Sequence, residues 1–200
     1  MAGKPLIYWT MESATNSRYI EKVYISTDSD EIREVVSKYD GPNKEKIEII
    51  NRSKETADDN ASTESAMLEF AHKFNFDNII LIQATSPLLE TAHLDSAIKE
   101  YSKFDSIISL VEQKRFIWKR NSRNEVYPVN YNYLKRPRRQ EFEGVLIENG
   151  AFYITSKKRL LETKSRISGR IGGYVMPEES YFEIDEPSDW IIIENILYSK

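Results

Sequence analysis

The stretch that decides the fold is Asn78-Ile-Ile-Leu-Ile-Gln-Ala-Thr-Ser-Pro-Leu-Leu89. Its first half is apolar at consecutive positions, which is typical of a strand buried on both faces of a parallel sheet. Its second half is a tight polar turn, in which Pro87 stops the strand. Because ligands bind beyond the carboxyl ends of strands in open α/β sheets, Gln83, Thr85 and Ser86 are candidate binding residues. The alternative is a plain strand-to-helix turn.

Strand-like and helix-like segments alternate on both sides of this stretch. The predicted strands cover 23–27, 47–50, 78–83, 105–111, 145–155 and 169–176. The predicted helices cover 5–13, 28–39, 62–74, 91–104, 156–164 and 187–198, with Asp28, Ser62 or Thr63, and Thr91 as predicted N-caps. This order predicts one α/β domain over residues 1–200, with a mostly parallel sheet. The polar, aromatic and basic residues of about 112–142 interrupt the pattern and are predicted to form an inserted arm.

Composition excludes several classes of protein. The 200 residues contain no cysteine and two histidines, which excludes disulfides, thiolate zinc sites and cysteine nucleophiles. No apolar run approaches the ~18 residues of a membrane span, so we expect no membrane segment. The net charge of −4 gives no general attraction to nucleic acid. The absence of cysteine suits a cytoplasmic location.

Glycine is scarce, and its placement excludes a further class of site. The chain has 7 glycines, and none lies between Gly41 and Gly144. A phosphate-cradling loop needs closely spaced glycines between a strand and a helix. A Walker A loop and a dinucleotide fingerprint are therefore excluded from the printed sequence.

The positive charge is concentrated in the inserted arm. Between Lys114 and Arg139 there are nine basic residues and a single acid, Glu125, with aromatic residues interleaved. One interpretation is a solvated, twisted hairpin. The other is the capture of an anion, which could be a substrate, a phosphate or a nucleic acid. The strongly acidic remainder of the chain argues against nucleic acid.

Further candidate residues follow other predicted strands. Two carboxylates two positions apart, Glu183 and Asp185, would share one face of a strand and could hold Mg²⁺ together with substrate phosphates. The alternative is a surface strand end that leads into the last helix. Asn149 precedes a glycine, which permits close approach of a ligand. Arg52 follows the second predicted strand, and Ser62 is either a helix cap or part of an anion site.

Taken in order, the motifs resemble those of the acylneuraminate cytidylyltransferases. They are Ser26-Thr-Asp, Asn51-Arg-Ser, Gln83-x-Thr-Ser-Pro-Leu, Arg138-Arg-Gln, Asn149-Gly-Ala-x-Tyr, Met176-Pro-Glu-Glu and Glu183-Ile-Asp. Each motif is weak alone, but seven in the right order over essentially the whole chain are specific. The resemblance implies a Rossmann-like nucleotide-diphospho-sugar transferase fold and a homodimer. It also implies transfer of CMP from CTP to a sialic, legionaminic, pseudaminic or similar nonulosonic acid.

The resemblance assigns roles residue by residue. It implies Glu183 and Asp185 as ligands of Mg²⁺, and Gln83 and Arg52 as catalytic residues. Arg52 and Ser62 are placed by it near the nucleotide, and the arm is taken as the dimerisation element. The residues implied on the sugar side are Gln83, Thr85, Ser86, Arg139, Gln140, Asn149 and Tyr153.

Three departures from the family pattern shape our expectations. Glu183 stands where most members have aspartate, and Leu89 where they have arginine. The family also opens with a strand and a loop of the form A-R-G-G-S-K-x-x-x-x-K-N, which the printed chain lacks. On that ground we expect an open slot in the sheet and little or no transferase activity for the 200 residues. The alternative function is a non-catalytic homologue that binds the sugar or serves as a dimer partner.

Overall fold

The computed structural model describes residues 1–58 and 60–199. The strands are β1 (Val23–Thr27), β2 (Ile47–Asn51), β3 (Asn78–Ile82), β4 (Ser106–Gln113), β5 (Trp118–Arg120), β6 (Val126–Pro128), β7 (Val145–Ser156) and β8 (Ile171–Met176). The helices are α1 (Leu6–Thr15), α2 (Asp30–Ser37), α3 (Lys54–Ala57), α4 (Thr63–Lys73), α5 (Thr91–Tyr101), α6 (Lys157–Thr163) and α7 (Pro187–Tyr198). Short 3₁₀ turns cover 44–46, 133–135 and 178–181.

The α/β class is confirmed, but the sheet is mixed rather than mostly parallel. The main sheet has the order β3-β7-β4-β8, in which only β4 and β8 are parallel. β7 runs antiparallel to both of its neighbours. The physical reason is the arm, because it leaves the sheet after Gln113 and returns beside it, where Gln113 pairs with Val145. β7 then has to run back along β4.

A second, smaller sheet consists of the parallel pair β1 and β2. Among residues 1–58 and 60–199, no strand hydrogen-bonds to the outer edge of β1 or of β3. Both strands nevertheless pack on α4, since Tyr24 of β1 contacts Phe70 of α4 while Leu81 of β3 belongs to the cluster around Met67. The sheet of this domain is therefore in two parts that share a helical layer.

Helices cover both faces of the main sheet. On one face, α1 and α5 enclose the largest apolar cluster, and α4 and α6 cover the other face. The buried members of the first cluster are Ala14, Leu89, Leu94, Ala97, Ile107, Val111, Ala151, Phe152, Ile154 and Met176. The consecutive apolar residues of β3 are explained by this sandwich, because Ile80 faces the first cluster and Ile79 the second.

Two of the predicted helix caps are wrong by one residue. The cap of α2 is Ser29, whose hydroxyl accepts from the Ile32 backbone N–H, and not Asp28. The cap of α5 is Glu90, which forms a capping box with His93, and not Thr91. Ser62 does cap α4, as predicted. Several polar residues stand side by side at these helix starts, so spacing alone does not choose among them.

The arm is a small hairpin of β5 and β6 held together by aromatic contacts. Phe116 packs against Tyr131 and Phe142, and the Arg136 guanidinium lies 4.5 Å from the Phe116 ring centre. Leu134 and Trp118 of the arm remain 77% and 45% exposed. Over residues 1–58 and 60–199, no helix combines the length and apolar character needed to cross a bilayer.

Candidate active site

The turn after β3 is fixed to the strands beside it. The Gln83 backbone N–H donates to the Ala151 carbonyl of β7 at 3.2 Å, and the Ser86 N–H closes the turn on the Gln83 carbonyl. Ser86 is buried, and its hydroxyl has no hydrogen-bond partner among the described residues. Backbone hydrogen bonds on both sides of Gln83 therefore fix the position of its side chain at the end of β3.

Glu183 reaches the same place from a distant part of the chain. The segment 183–185 is not a strand, contrary to the prediction, but a bend that leads into α7. The Ile184 N–H donates to the Thr85 carbonyl at 2.9 Å, and the N–H groups of Asp185 and Glu186 donate to the Asp189 carboxylate. The Asp189 carboxylate at the start of α7 therefore accepts from backbone N–H groups that would pair with a neighbouring strand if this segment were extended.

Gly150 lies between Gln83 and Glu183. Its φ is +69°, and a Cβ atom added there would lie 2.7 Å from Gln83 Oε1 and 2.9 Å from Glu183 Oε2. Both side chains therefore converge on the bare backbone of β7. Only glycine leaves this space open in a conformation that L side chains rarely adopt.

The surroundings of the Glu183 carboxyl disfavour its ionised form. Partial burial raises the pKa of its carboxyl above the usual value, and the charges of Asp185 and Asp189 raise that pKa further. A cation near these carboxylates would relieve the repulsion. Within the described part of the chain, no group of three or more Asp, Glu, His or Cys side chains could hold a metal ion by itself.

Tyr153 lies on the same side of the sheet, and its hydroxyl donates to the Glu148 carboxylate. Its ring is buried, and this burial, followed by the hydrogen bond and the charge of Glu148, raises the pKa of its hydroxyl. The charge of Glu183 also raises this pKa, as the last and smallest of the contributions.

The Asn149 side chain connects β7 to the segment that carries Glu183. Its amide nitrogen donates to the Ser180 carbonyl at 2.9 Å, within the 3₁₀ turn. Its amide oxygen is buried and has no protein partner among the described residues. The side chain therefore anchors the turn and keeps one acceptor free.

Arg52 and Ser62 flank α3, since Arg52 precedes this helix and Ser62 follows it at the start of α4. The Arg52 backbone N–H donates to the Thr27 carbonyl, and its guanidinium contacts the Thr56 carbonyl. The Ser62 hydroxyl accepts from the Ser65 N–H at 3.1 Å, so it caps α4. Both residues follow the β1–β2 pair. Gln83, Asn149, Gly150 and Glu183, which we call the Gln83 cluster, lie instead at the main sheet.

One carboxylate secures the segment that carries Arg52. Glu69 of α4 accepts from Lys73, from the Thr56 hydroxyl, and from the hydroxyl and backbone N–H of Ser53. The contact with Lys73 and then the one with Thr56 hold the pKa of this carboxyl down to about 2. Nothing in the spacing of the sequence singles out Glu69.

The predicted arm residues lie apart from the Gln83 cluster. Arg139 and Gln140 are exposed, and Arg139 lines a polar cavity of about 320 Å³ together with Lys114 and Glu178. Met176 borders the same cavity, and its sulfur lies 3.3 Å from the Asn149 amide nitrogen. The cavity at the base of the arm is therefore next to the anchor of the Glu183 segment.

Sequence reasoning missed Glu148, Arg166, Glu64, Glu69 and Asp189. A capping-box pattern starting at Glu186 could have found Asp189. Arg166, Glu64 and Glu69 act through contacts between distant segments, and Glu148 acts within β7 across its register shift, so no short-range pattern marks them.

Comparisons with known proteins show which family the chain resembles. A family model described as Cytidylyltransferase matches residues 1–197. The chain is 35% identical to N-acylneuraminate cytidylyltransferase A of Danio rerio over 97% of its own length, and it spans 45% of that protein. It is 30% identical to the pseudaminic acid cytidylyltransferase of Campylobacter jejuni, covering 98% of this chain and 86% of that one.

Solved structures share the fold at low identity. The 4-diphosphocytidyl-2C-methyl-D-erythritol synthase of Anaerococcus prevotii matches with a TM-score of 0.73 at 14% identity, over 98% of this chain and 90% of that one. A CMP:2-keto-3-deoxy-manno-octonic acid synthetase complexed with CTP matches with a TM-score of 0.66 at 15% identity, over 98% and 89%.

Proposed function

Because the chain belongs to the cytidylyltransferase family, we propose that it transfers CMP from CTP to a nonulosonic acid and releases pyrophosphate. The relatives named above carry sialic-acid-type and pseudaminic-acid names, which supports an acidic nine-carbon sugar as the acceptor. In the proposed step the anomeric hydroxyl oxygen of the sugar attacks the α-phosphorus of CTP. The bond from that phosphorus to the pyrophosphate oxygen breaks.

The observation that carries this proposal is the convergence of Gln83 and Glu183 over Gly150. An amide and a carboxylate that meet over bare backbone at a strand end form a cradle for a polar ligand. Gln83, Thr85, Ser86, Asn149 and Tyr153 are the proposed sugar-side residues. Gln83 is placed to orient the acceptor hydroxyl, and the free amide oxygen of Asn149 is an acceptor for a donor group of the sugar.

Arg52 and Ser62 are the proposed nucleotide-side residues. They flank the segment that joins β2 to α4, and Ser62 caps an 11-residue helix. The N-terminus of such a helix carries partial positive charge and favours a phosphate. A guanidinium beside it would donate to the same anion.

Mg²⁺ is the proposed cofactor, and Glu183 and Asp185 are the residues that would hold it. The donor set fits, because this ion is usually held by one or two carboxylates together with water and substrate phosphates. The raised pKa of Glu183 fits as well, since partial burial and then the charges of Asp185 and Asp189 disfavour its ionised form, which a bound cation would stabilise. When bound, Mg²⁺ would neutralise charge on the triphosphate and on the departing pyrophosphate.

We further propose a homodimer formed through the arm, with Arg139 and Gln140 reaching the partner's sugar site. Support comes from the exposed apolar side chains of the arm, above all Leu134. Support also comes from apolar side chains left exposed on the main sheet, namely Leu146, Ile171 and Val175. The cytoplasmic location remains part of the proposal and rests on the absence of cysteine.

One observation favours a second function, which is ligand binding without turnover. The printed sequence has no glycine-rich loop between a strand and a helix in its first half. Backbone N–H donors of such loops are worth roughly 10²–10³ in rate when they stabilise charge in a transition state. Under this alternative the chain binds the sugar, or a second copy, and releases no pyrophosphate.

Pyrophosphate release separates the two functions. The 200-residue chain is incubated with CTP, Mg²⁺ and either N-acetylneuraminic or pseudaminic acid, and the CMP-sugar product is identified by mass. The transferase function predicts sugar-dependent release at the low rate that we expect for the 200 residues. Glu183→Gln should lower that rate further, by at least roughly 100-fold, because the charge that holds the metal is lost. Glu162→Gln on α6 is the matched control and should keep the wild-type rate.

Sugar binding without any release would support the second function instead. Absence of both binding and release would contradict both proposals.

A further inference from the structure

Arg166 occupies a position that the site residues named so far do not explain. It lies in the loop between α6 and β8, outside all of the predicted motifs. Its side chain is 22% exposed, and its Nη1 is buried with no hydrogen-bond partner among the described residues. Burying a charged side chain costs free energy unless its contacts compensate, so the contacts of Arg166 indicate its role.

The first contact is with Tyr153. The Arg166 guanidinium carbon lies 4.4 Å from the centre of the Tyr153 ring. At this distance the flat guanidinium covers the ring and is attracted to its π face. The Tyr153 hydroxyl is held at the other end by Glu148. The ring is therefore fixed at its face and at its tip.

The second contact is with α4. Arg166 Nε lies 3.4 Å from Glu64 Oε1, and Glu64 belongs to the first turn of the helix that Ser62 caps. Arg166 thus touches one residue on the proposed sugar side and one on the proposed nucleotide side. Within the described residues it is the side chain that links the Tyr153 ring to the start of α4.

We infer that Arg166 is a positioning residue for sugar binding: it braces the Tyr153 ring and ties that ring to the first turn of α4. This inference rests on the proposed function. Arg166 does not need to touch either substrate. Its effect reaches the sugar through Tyr153, so its loss should weaken sugar binding and leave CTP binding almost unchanged.

The loop offers a matched control. Arg170 is also an arginine over an aromatic ring, with its guanidinium 5.8 Å from the centre of Phe104. Its backbone N–H donates to Asp105, away from the Gln83 cluster. Arg170→Gln therefore removes an equal charge and a similar stacking contact without touching Tyr153.

The experiment measures binding and ring environment with the full 200-residue chain. N-acetylneuraminic acid, pseudaminic acid and CTP are each titrated by calorimetry into wild type, Arg166→Gln, Arg166→Lys and Arg170→Gln. We expect Arg166→Gln to weaken binding of the accepted sugar roughly tenfold and to change the CTP affinity less than twofold. Arg166→Lys keeps the charge near Glu64 but lacks the flat face, so it should recover only part of the loss.

A spectroscopic readout does not depend on any substrate. With ¹³C-labelled tyrosine rings, the Tyr153 signal is assigned from its loss in Tyr153→Phe, and it should shift in Arg166→Gln but not in Arg170→Gln. A sugar affinity that is unchanged in a folded Arg166→Gln overturns the inference alone, whether or not the Tyr153 signal shifts. Wild-type chain that binds neither sugar nor CTP overturns the proposed function, and this role with it.

Discussion

The Gln83 cluster and the arm are built in opposite ways. The cluster collects three distant segments on one strand end, each held by backbone hydrogen bonds at about 3 Å. The arm over 112–142 is held by contacts among its own residues, namely the β5–β6 pairing and its aromatic rings, and it leaves Leu134 77% exposed. The difference indicates that folding completes the cluster, whereas the arm keeps large apolar side chains exposed, which is why we propose it as the dimer interface.

The largest expected effect comes from filling the space between Gln83 and Glu183. Gly150→Ala should lower the rate of pyrophosphate release by roughly 100-fold, because displacements near 1 Å cost that much in positioned chemistry. Gly3→Ala is the matched control, since Gly3 also has a positive φ, of +80°, but has no atom within 4 Å of an added Cβ. Steady-state rates and thermal unfolding are measured for both variants.

If Gly3→Ala and Gly150→Ala lose activity to the same extent, backbone strain explains the effect. The cluster would then not depend on the open space at Gly150.

The next effect concerns the arm. Leu134→Asp should weaken self-association at least tenfold, because burying a leucine at an interface is worth about 1.5–3 kcal/mol. Sedimentation velocity over a range of concentrations measures the change. Ile191→Asp on α7 is the control, since Ile191 is 65% exposed but belongs to another surface.

Dissociation caused by Ile191→Asp and not by Leu134→Asp would move the proposed interface from the arm to α7. The exposed side chains of the arm would then not mark it as the dimer interface.

The smallest effect tests whether Glu69 secures the segment that carries Arg52, which lies outside the cluster. The Glu69 carboxyl has a pKa of about 2 in the fold against 4.5 normally, so its stabilising contribution is complete above pH 4.5 and is lost as the pH falls toward 2. Glu69→Gln should lower the free energy of unfolding at pH 7 by about 1–2 kcal/mol. The wild-type and variant stabilities should converge between pH 4.5 and 2.

Glu100→Gln is the control for this measurement. Glu100 pairs with Lys103 on the exposed face of α5, and surface pairs of this kind contribute about 0–1 kcal/mol. An equal effect of both variants, or curves that stay parallel below pH 4.5, would show that Glu69 does not secure the Arg52 segment.

The sequence predicted well wherever a local pattern decides the structure. β1 and α7 have the predicted bounds, because a β-branched run and a proline at the first helical turn are local signals. The family predicted from the seven ordered motifs is confirmed by the comparison over residues 1–197. The class of the fold followed from the alternation of the elements.

The rest depends on contacts that no short pattern contains. Glu183 and Asp185 were predicted on one strand face, but the Thr85 carbonyl and the Asp189 carboxylate hold that backbone in a bend. The contact of Tyr153 with Arg166 joins β7 to the loop after α6, which only the packing of the fold brings together. The hydrogen bond from Tyr153 to Glu148 lies within β7, across the register shift against β4, and no residue pattern marks that shift. The direction of β7 was set by the return of the arm.

The hydrogen bond from Ile184 to Thr85 has a consequence for how such proteins diversify. It joins the turn proposed to recognise the acceptor to the bend that carries Glu183. A substitution that reshapes the turn for a different sugar would therefore also move the carboxylate. We expect changes of substrate in this lineage to arise first at Tyr153 or on the arm, where a side chain can change without disturbing the bend.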